Sequence, residues 1–93
     1  MKYVLITYER AHDAMDAMEL LRSHGIEGPV LVPKPSSISA RCGVALRMES
    51  QIAGRVLTTL MAGGLIGAVY CSDDRKHWQE CSAEEAAAQA QGY

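Results

Sequence analysis

The stretch Pro33 to Gly43, PKPSSISARCG, holds two prolines and three serines, too polar and too interrupted for a helix or a central strand. It reads as a loop that delivers one cysteine, Cys42, just ahead of an apolar run. A thiol reacts as thiolate, and a cation or a helix N-terminus beside it lowers its pKa from about 8.5. Arg41 is the adjacent cation, and Gly43 permits close backbone approach. The amides of Gly43 and Val44 are then placed to stabilise negative charge on a sulfur or selenium atom held by the cysteine. The competing reading is structural: Cys42 as a small buried apolar residue that begins a strand, the commoner fate of a free cysteine.

Other reactive side chains make weaker patterns. His12 is a candidate base or thiolate partner, although a histidine in the first turn of a helix is more often solvated. Cys71 ends an apolar run and reads as inert packing. Cys81 stands beside Glu80, which raises rather than lowers a thiol pKa. Three cysteines, at 42, 71 and 81 with no CxxC pair, argue against a disulfide framework and against a structural metal. His24 and His77 have no constellation around them, and Ser36, Ser37 and Ser39 lack a triad pattern. Gly63, Gly64 and Gly67 lack the Lys and Ser/Thr of a phosphate loop. No catalytic acid/base pair can be assembled, so an enzyme is the least supported class, and no cofactor is implied.

Ninety-three residues fit one domain. The composition, 48% hydrophobic and 22% charged, is ordinary for a globular chain. No apolar stretch approaches the ~18 residues of a membrane span, and no secretory signal is visible at the start, which makes a cytoplasmic location the expectation. The net charge of -2 has two unlike parts: residues 1–70 carry seven Lys/Arg and six Asp/Glu, whereas residues 71–93 carry two and five. Without a basic field and without any Phe, a nucleic-acid surface is poorly supported.

The elements that must position Cys42 follow from periodicity. Lys2 to Tyr8 is β-branched and aromatic and reads as a central strand. From Ala11 the period changes: Ala11, Ala14, Met15, Met18 and Leu21 share one helical face, with Gly25 as a left-handed cap. Val30 to Val32, after Gly28-Pro29, reads as an edge strand, and Val44 to Met48 as a third strand. Ser50 is the expected N-cap of a second helix whose stripe is Ile52, Val56, Leu57, Leu60 and Met61, stopped by Gly63 and Gly64. Leu65 to Cys71 is the fourth strand. Strand, helix, strand, strand, helix, strand predicts an α+β, ferredoxin-like split sandwich. Its four-stranded antiparallel sheet has the order 4, 1, 3, 2, with both helices on one face. The expected domain is 1–72, and 73–93 is expected to be an acidic, Ala-rich tail in which a Ser82–Glu85 capping box starts a short third helix that, marginal alone, either docks through Trp78 or frays. This topology brings Cys42 toward the N-terminus of the first helix and His12.

The segments AHDAM (11–15), LLRSHGI (20–26) and above all LVPKPSSISARCGVALR (31–47) resemble the selenium/sulfur carrier protein-like family, small bacterial domains, over about residues 1–71. The resemblance implies a ferredoxin-like fold and a cysteine that carries sulfur or selenium, and it transfers onto Cys42 alone. Where the family often has Ser or Thr ahead of the His-Asp pair, this chain has Arg10 and Ala11, so the first helix loses its cap and gains a cation. The expected function is therefore a carrier. Cys42 would hold S or Se as a persulfide or selenosulfide between donor and acceptor proteins, with no nucleic acid or membrane partner and a homodimer left open. The alternative is a non-enzymatic regulatory ligand-binding or protein-interaction module on the same sheet. Arg41, Arg10 and the helix dipole predict a modestly lowered Cys42 pKa, below those of Cys71 and Cys81.

Overall fold

β1 (Tyr3–Thr7) is buried on both of its faces: Val4, Leu5 and Ile6 are all fully excluded from solvent. Such a strand must lie inside a sheet, and the computed structural model, which describes residues 2–33 and 44–81, places it so. The remaining elements are α1 (Ala11–Ser23), β2 (Val30–Pro33), β3 (Val44–Glu49), α2 (Ser50–Gly63), β4 (Ala68–Ser72) and β5 (Gln79–Cys81). The strand order is β2-β3-β1-β4-β5 and every neighbouring pair is antiparallel. The expected α+β split arrangement and its 4, 1, 3, 2 order are present, extended by a fifth strand.

Alternation along the strands divides the apolar residues between two faces. Val4, Ile6, Leu46, Met48 and Val69 face the helices and join Ala14, Ala17, Leu21, Ala53, Val56, Leu57 and Leu60 in the main core. α1 packs on β3 and α2, and α2 packs on β1 and β3. Leu5 and Ala45 point to the other face, where Val32, Tyr70 and Trp78 pack against them. Trp78 thus packs on this second face, and among the described residues its buried Nε1 donor has no acceptor. The helix expected beyond Ser82 lies outside the described residues.

Three local expectations are corrected. Ser50 is not the N-cap but the first residue of α2, because its amide donates to the Lys2 carbonyl (2.9 Å), and the cap, Glu49, makes no side-chain capping bond. Met15 is 59% exposed, so the buried stripe of α1 is Ala14, Ala17 and Leu21, small enough at two of three positions for the helix to sit close to β3. Gln79–Cys81, assigned to the tail from sequence, forms β5, and Cys71 and Cys81 form a disulfide across β4 and β5. The helix ends agree with expectation: Gly25 follows the α1 C-cap with φ +71°, and the Ile26 amide donates back to the Leu21 carbonyl at 2.9 Å.

Gly67 sets how closely β4 begins beside β1. A Cβ there would overlap the Thr7 carbonyl oxygen, a backbone atom that can move only if the strand moves. Gly67→Ala is expected to destabilise the fold by about 1–3 kcal/mol through this overpacking. Urea denaturation followed by circular dichroism measures it, and an unchanged midpoint would mean the two strand ends can separate freely.

Candidate functional site

The ladder registers gather one set of chain ends at a single sheet edge. Thr7, the last residue of β1, pairs with Ala45 near the start of β3 and with Ala68 at the start of β4. Pro33, which ends β2, pairs with Val44, which begins β3. α1 begins and α2 ends at the same edge, because each connects through this end of the sheet. The loop that contains Cys42 therefore leaves and rejoins the sheet here. Arg41, Cys42 and Gly43 lie outside the described residues; Val44, directly after Gly43, is half-buried against the main core and fixes where the segment re-enters.

Among the described residues no side chain caps the N-terminus of α1, which faces this edge. Arg10 occupies the cap position in an extended conformation and makes no capping bond, while its carbonyl accepts from the Asp13 amide at 3.1 Å. First-turn amides that no side chain satisfies carry the positive end of the helix dipole, which favours an anion nearby. Asp13 is the acidic residue of that turn and opposes the effect.

His12 is the candidate site residue that the structure does describe. Its side chain is 62% exposed, and Nε2 lies 3.3 Å from an Asp13 carboxylate oxygen. With Met15, Asp16, Glu19 and Arg22 it lines an open groove whose far wall is Leu31 of β2, two residues before the loop departs. His12, Asp13 and Asp16 bring three ligand-type atoms within 4.8 Å of one another. The cluster is largely solvated, and hydrated carboxylates of this kind make no case for a metal centre.

Tyr8 is a residue of this edge whose role sequence reasoning missed, because its partner is 57 positions away. It is buried, and its hydroxyl donates to the Leu65 carbonyl at 2.7 Å, tying the end of β1 to the turn between α2 and β4. Burial, and secondarily the Asp13 carboxylate, push its pKa well above the ordinary 10.0. A group whose folded pKa is raised contributes stability fully present below its unfolded pKa and lost as pH rises beyond it.

The other two cysteines lie on the opposite side of β1 from the loop anchors on β2 and β3. Cys71 pairs with Val4, about 10 Å along β4 from Ala68 at about 3.4 Å per residue, and Cys81 stands opposite Val69 on the outer strand β5. Cys71 is not the inert packing thiol expected, nor Cys81 a tail thiol beside Glu80, and with both consumed the third cysteine of the chain, Cys42, is left without a disulfide partner in it. The inference from an odd count fails because it excludes complete pairing and says nothing against one bond. His77 also acquires a partner the sequence did not suggest: its Nδ1 is 2.7 Å from Asp74.

Tyr8→Phe is expected to cost about 1 kcal/mol at neutral pH through loss of the hydroxyl bond. It should also remove part of the alkaline sensitivity: between about pH 9 and 12 the wild-type denaturation midpoint should fall more steeply than that of the variant. Parallel slopes across that range would show that Tyr8 ionises as freely when folded as when unfolded.

Among the described residues no helix is long and apolar enough to cross a membrane. No curated protein and no solved structure matches the chain. One family model does: that described as "Putative Se/S carrier protein-like" matches residues 2–70, from β1 through most of β4 and across the whole Pro33–Val44 connection. By that match over most of its length, the chain belongs to the Se/S carrier protein-like family.

Proposed function

We propose that the protein is a sulfur or selenium carrier in which Cys42 holds the cargo atom between a donor and an acceptor protein. The observation that carries this reading is the family match, which spans the Cys42 loop and both of its anchors and stops before Cys71. The disulfide adds to it: a chain with three cysteines keeps one thiol for transfer chemistry and has no dithiol at that edge with which to discharge it. A carrier of this kind catalyses no turnover of its own.

The transfer step balances without an external oxidant. The Cys42 thiolate attacks the terminal sulfur of a donor persulfide, R–S–SH, and forms Cys42–S–SH. The donor sulfur leaves as R–S⁻, and delivery to an acceptor thiolate is the same step in reverse. Selenium from R–S–SeH follows the same balance. Arg41 and the positive end of the α1 dipole favour the attacking thiolate, and the Gly43 amide stabilises the terminal anion. His12 shares the α1–β2 groove that adjoins the loop's departure and is assigned a minor, proton-holding role.

A second reading, a protein-interaction module, draws on that groove, where Met15 and Leu31 are 59% and 42% exposed. In a carrier the same apolar wall serves donor or acceptor docking, so the thiol discriminates between the two readings. Incubation with a low-molecular-weight persulfide should add the mass of one sulfur atom to the oxidised protein and none to Cys42→Ser. An equal gain by the variant would end the carrier reading. Because Cys71 and Cys81 are paired, alkylation by iodoacetamide in the oxidised protein reports Cys42 alone, whereas comparison with the other two requires their reduction. The rate should titrate below the ordinary thiol value of about 8.5 and move upward in Arg41→Ala. A midpoint at or above that value would remove the local physical support for transfer.

A further inference from the structure

The β4–β5 side of the sheet, across β1 from the strands that anchor the Cys42 loop, holds a second sulfur site. The Cα atoms of Cys71 and Cys81 are 6.4 Å apart, and Val69 opposes Cys81 while Cys71 opposes Gln79. The bond therefore runs diagonally across β4 and β5 on the helix face, where both residues pack on the rim of the core. β5 is three residues long and pairs on one side only. The segment before it is held locally. Ser72 Oγ accepts from the amides of Asp74 (3.2 Å) and Arg75 (3.0 Å), and the Asp74 carboxylate accepts from the amides of Lys76 (2.8 Å) and His77 (2.9 Å). With Ser72, Asp73, Asp74, His77 and Gln79, Cys71 forms the wall of an open pocket, so this cystine meets solvent from the Cys71 side.

We propose that Cys71–Cys81 is a thiol–disulfide exchange site, opened by a dithiol reductant entering that pocket, and that its oxidation state decides whether β5 stays on the edge of β4. A thiolate of the dithiol attacks the Cys71 sulfur and expels Cys81 as thiolate, which takes up a proton. The reductant's second thiol then closes on its first sulfur and releases Cys71 as a thiol. Two electrons pass from the dithiol, which leaves as a cyclic disulfide, to the cystine, which ends as two thiols. With the bond open, β5 keeps three ladder positions and the packing of Trp78, and a strand so short lies at the low end of local stability. Its departure uncovers the edge of β4 along Val69–Cys71. The family match ends at residue 70, so this clasp is an addition to the matched domain and does not rest on the carrier reading.

The test uses the full chain with Cys42→Ser, which silences the loop thiol. The protein is equilibrated in mixtures of reduced and oxidised dithiothreitol, alkylated and digested. Cys71 and Cys81 should become modified together, with one midpoint. Amide exchange at Gln79–Cys81 should then quicken at least roughly tenfold while β1 and β3 are unchanged. Cys81→Ser, which cannot close the bond, should show the fast exchange without reductant. Unpaired cysteines under oxidised dithiothreitol, a bond that survives excess reductant in the native protein, or equal β5 protection in both states would each overturn the proposal. Sulfur loading at Cys42 in the parent protein is read separately, so failure of one leaves the other standing.

Discussion

A strand with no solvent-facing side constrains everything packed around it. Val4 and Ile6 require helices over one face of β1, and Leu5 requires cover over the other. Each fully buried side chain of this size is worth about 1.5–3 kcal/mol, so β1 alone commits the chain to a central position with a neighbour on either side. Both neighbours run antiparallel to it. That direction fixes the ends: where β1 stops, β3 and β4 start, and the connections that precede them must arrive. The edge carrying the Cys42 loop is thus a consequence of burial at the middle of β1, two residues before Thr7.

Two helical-period segments among four short apolar runs made the sheet order legible, because few topologies satisfy two right-handed crossovers in so short a chain. β5 was not legible. Gln79 and Glu80 have little strand preference, and what makes them a strand is the open edge of β4 together with a bond to Cys71. The pairing of Cys71 with Cys81 was hidden for the same reason, since ten residues of separation says nothing until the second strand exists. Met15 misled because periodicity gives a stripe wider than a sheet can cover. Alanines at 14 and 17 draw α1 in close, leaving Met15 on the flank that faces the β2 edge.

At the candidate site, residue type was readable and contact was not. Cys42 between Arg41 and Gly43 is visible as chemistry in the linear sequence, and the missing cap at Arg10 was visible as a departure from what a helix start prefers. The Tyr8 hydroxyl bond to Leu65 could not be anticipated from any local pattern, as it joins the first strand to a turn near the end of the matched region. Burial of that phenol and the overlap any side chain at Gly67 would make with Thr7 are two parts of one arrangement: the ends of β1 and β4 are held close at the edge from which the loop departs.

The two sulfur sites are separated by that same strand logic. Pro33 and Val44 stand opposite each other in the ladder, so the sheet itself holds together the two ends of the ten-residue connection 34–43. Bringing the ends of a connection together costs free energy that grows only slowly with its length, and here the ladder supplies the closure. A carrier thiol must meet a donor and then an acceptor, which favours a position at the rim over one in the core. Under the carrier reading a cystine that secures an edge strand is better kept apart from such a thiol, because attack of the Cys42 thiolate on it would tie Cys42 into a mixed disulfide and expel Cys71 or Cys81 as thiolate. The strand order puts β1 between the loop anchors on β2 and β3 and the clasp on β4 and β5, with Cys71 opposite Val4 and Cys81 opposite Val69 on the outermost strand.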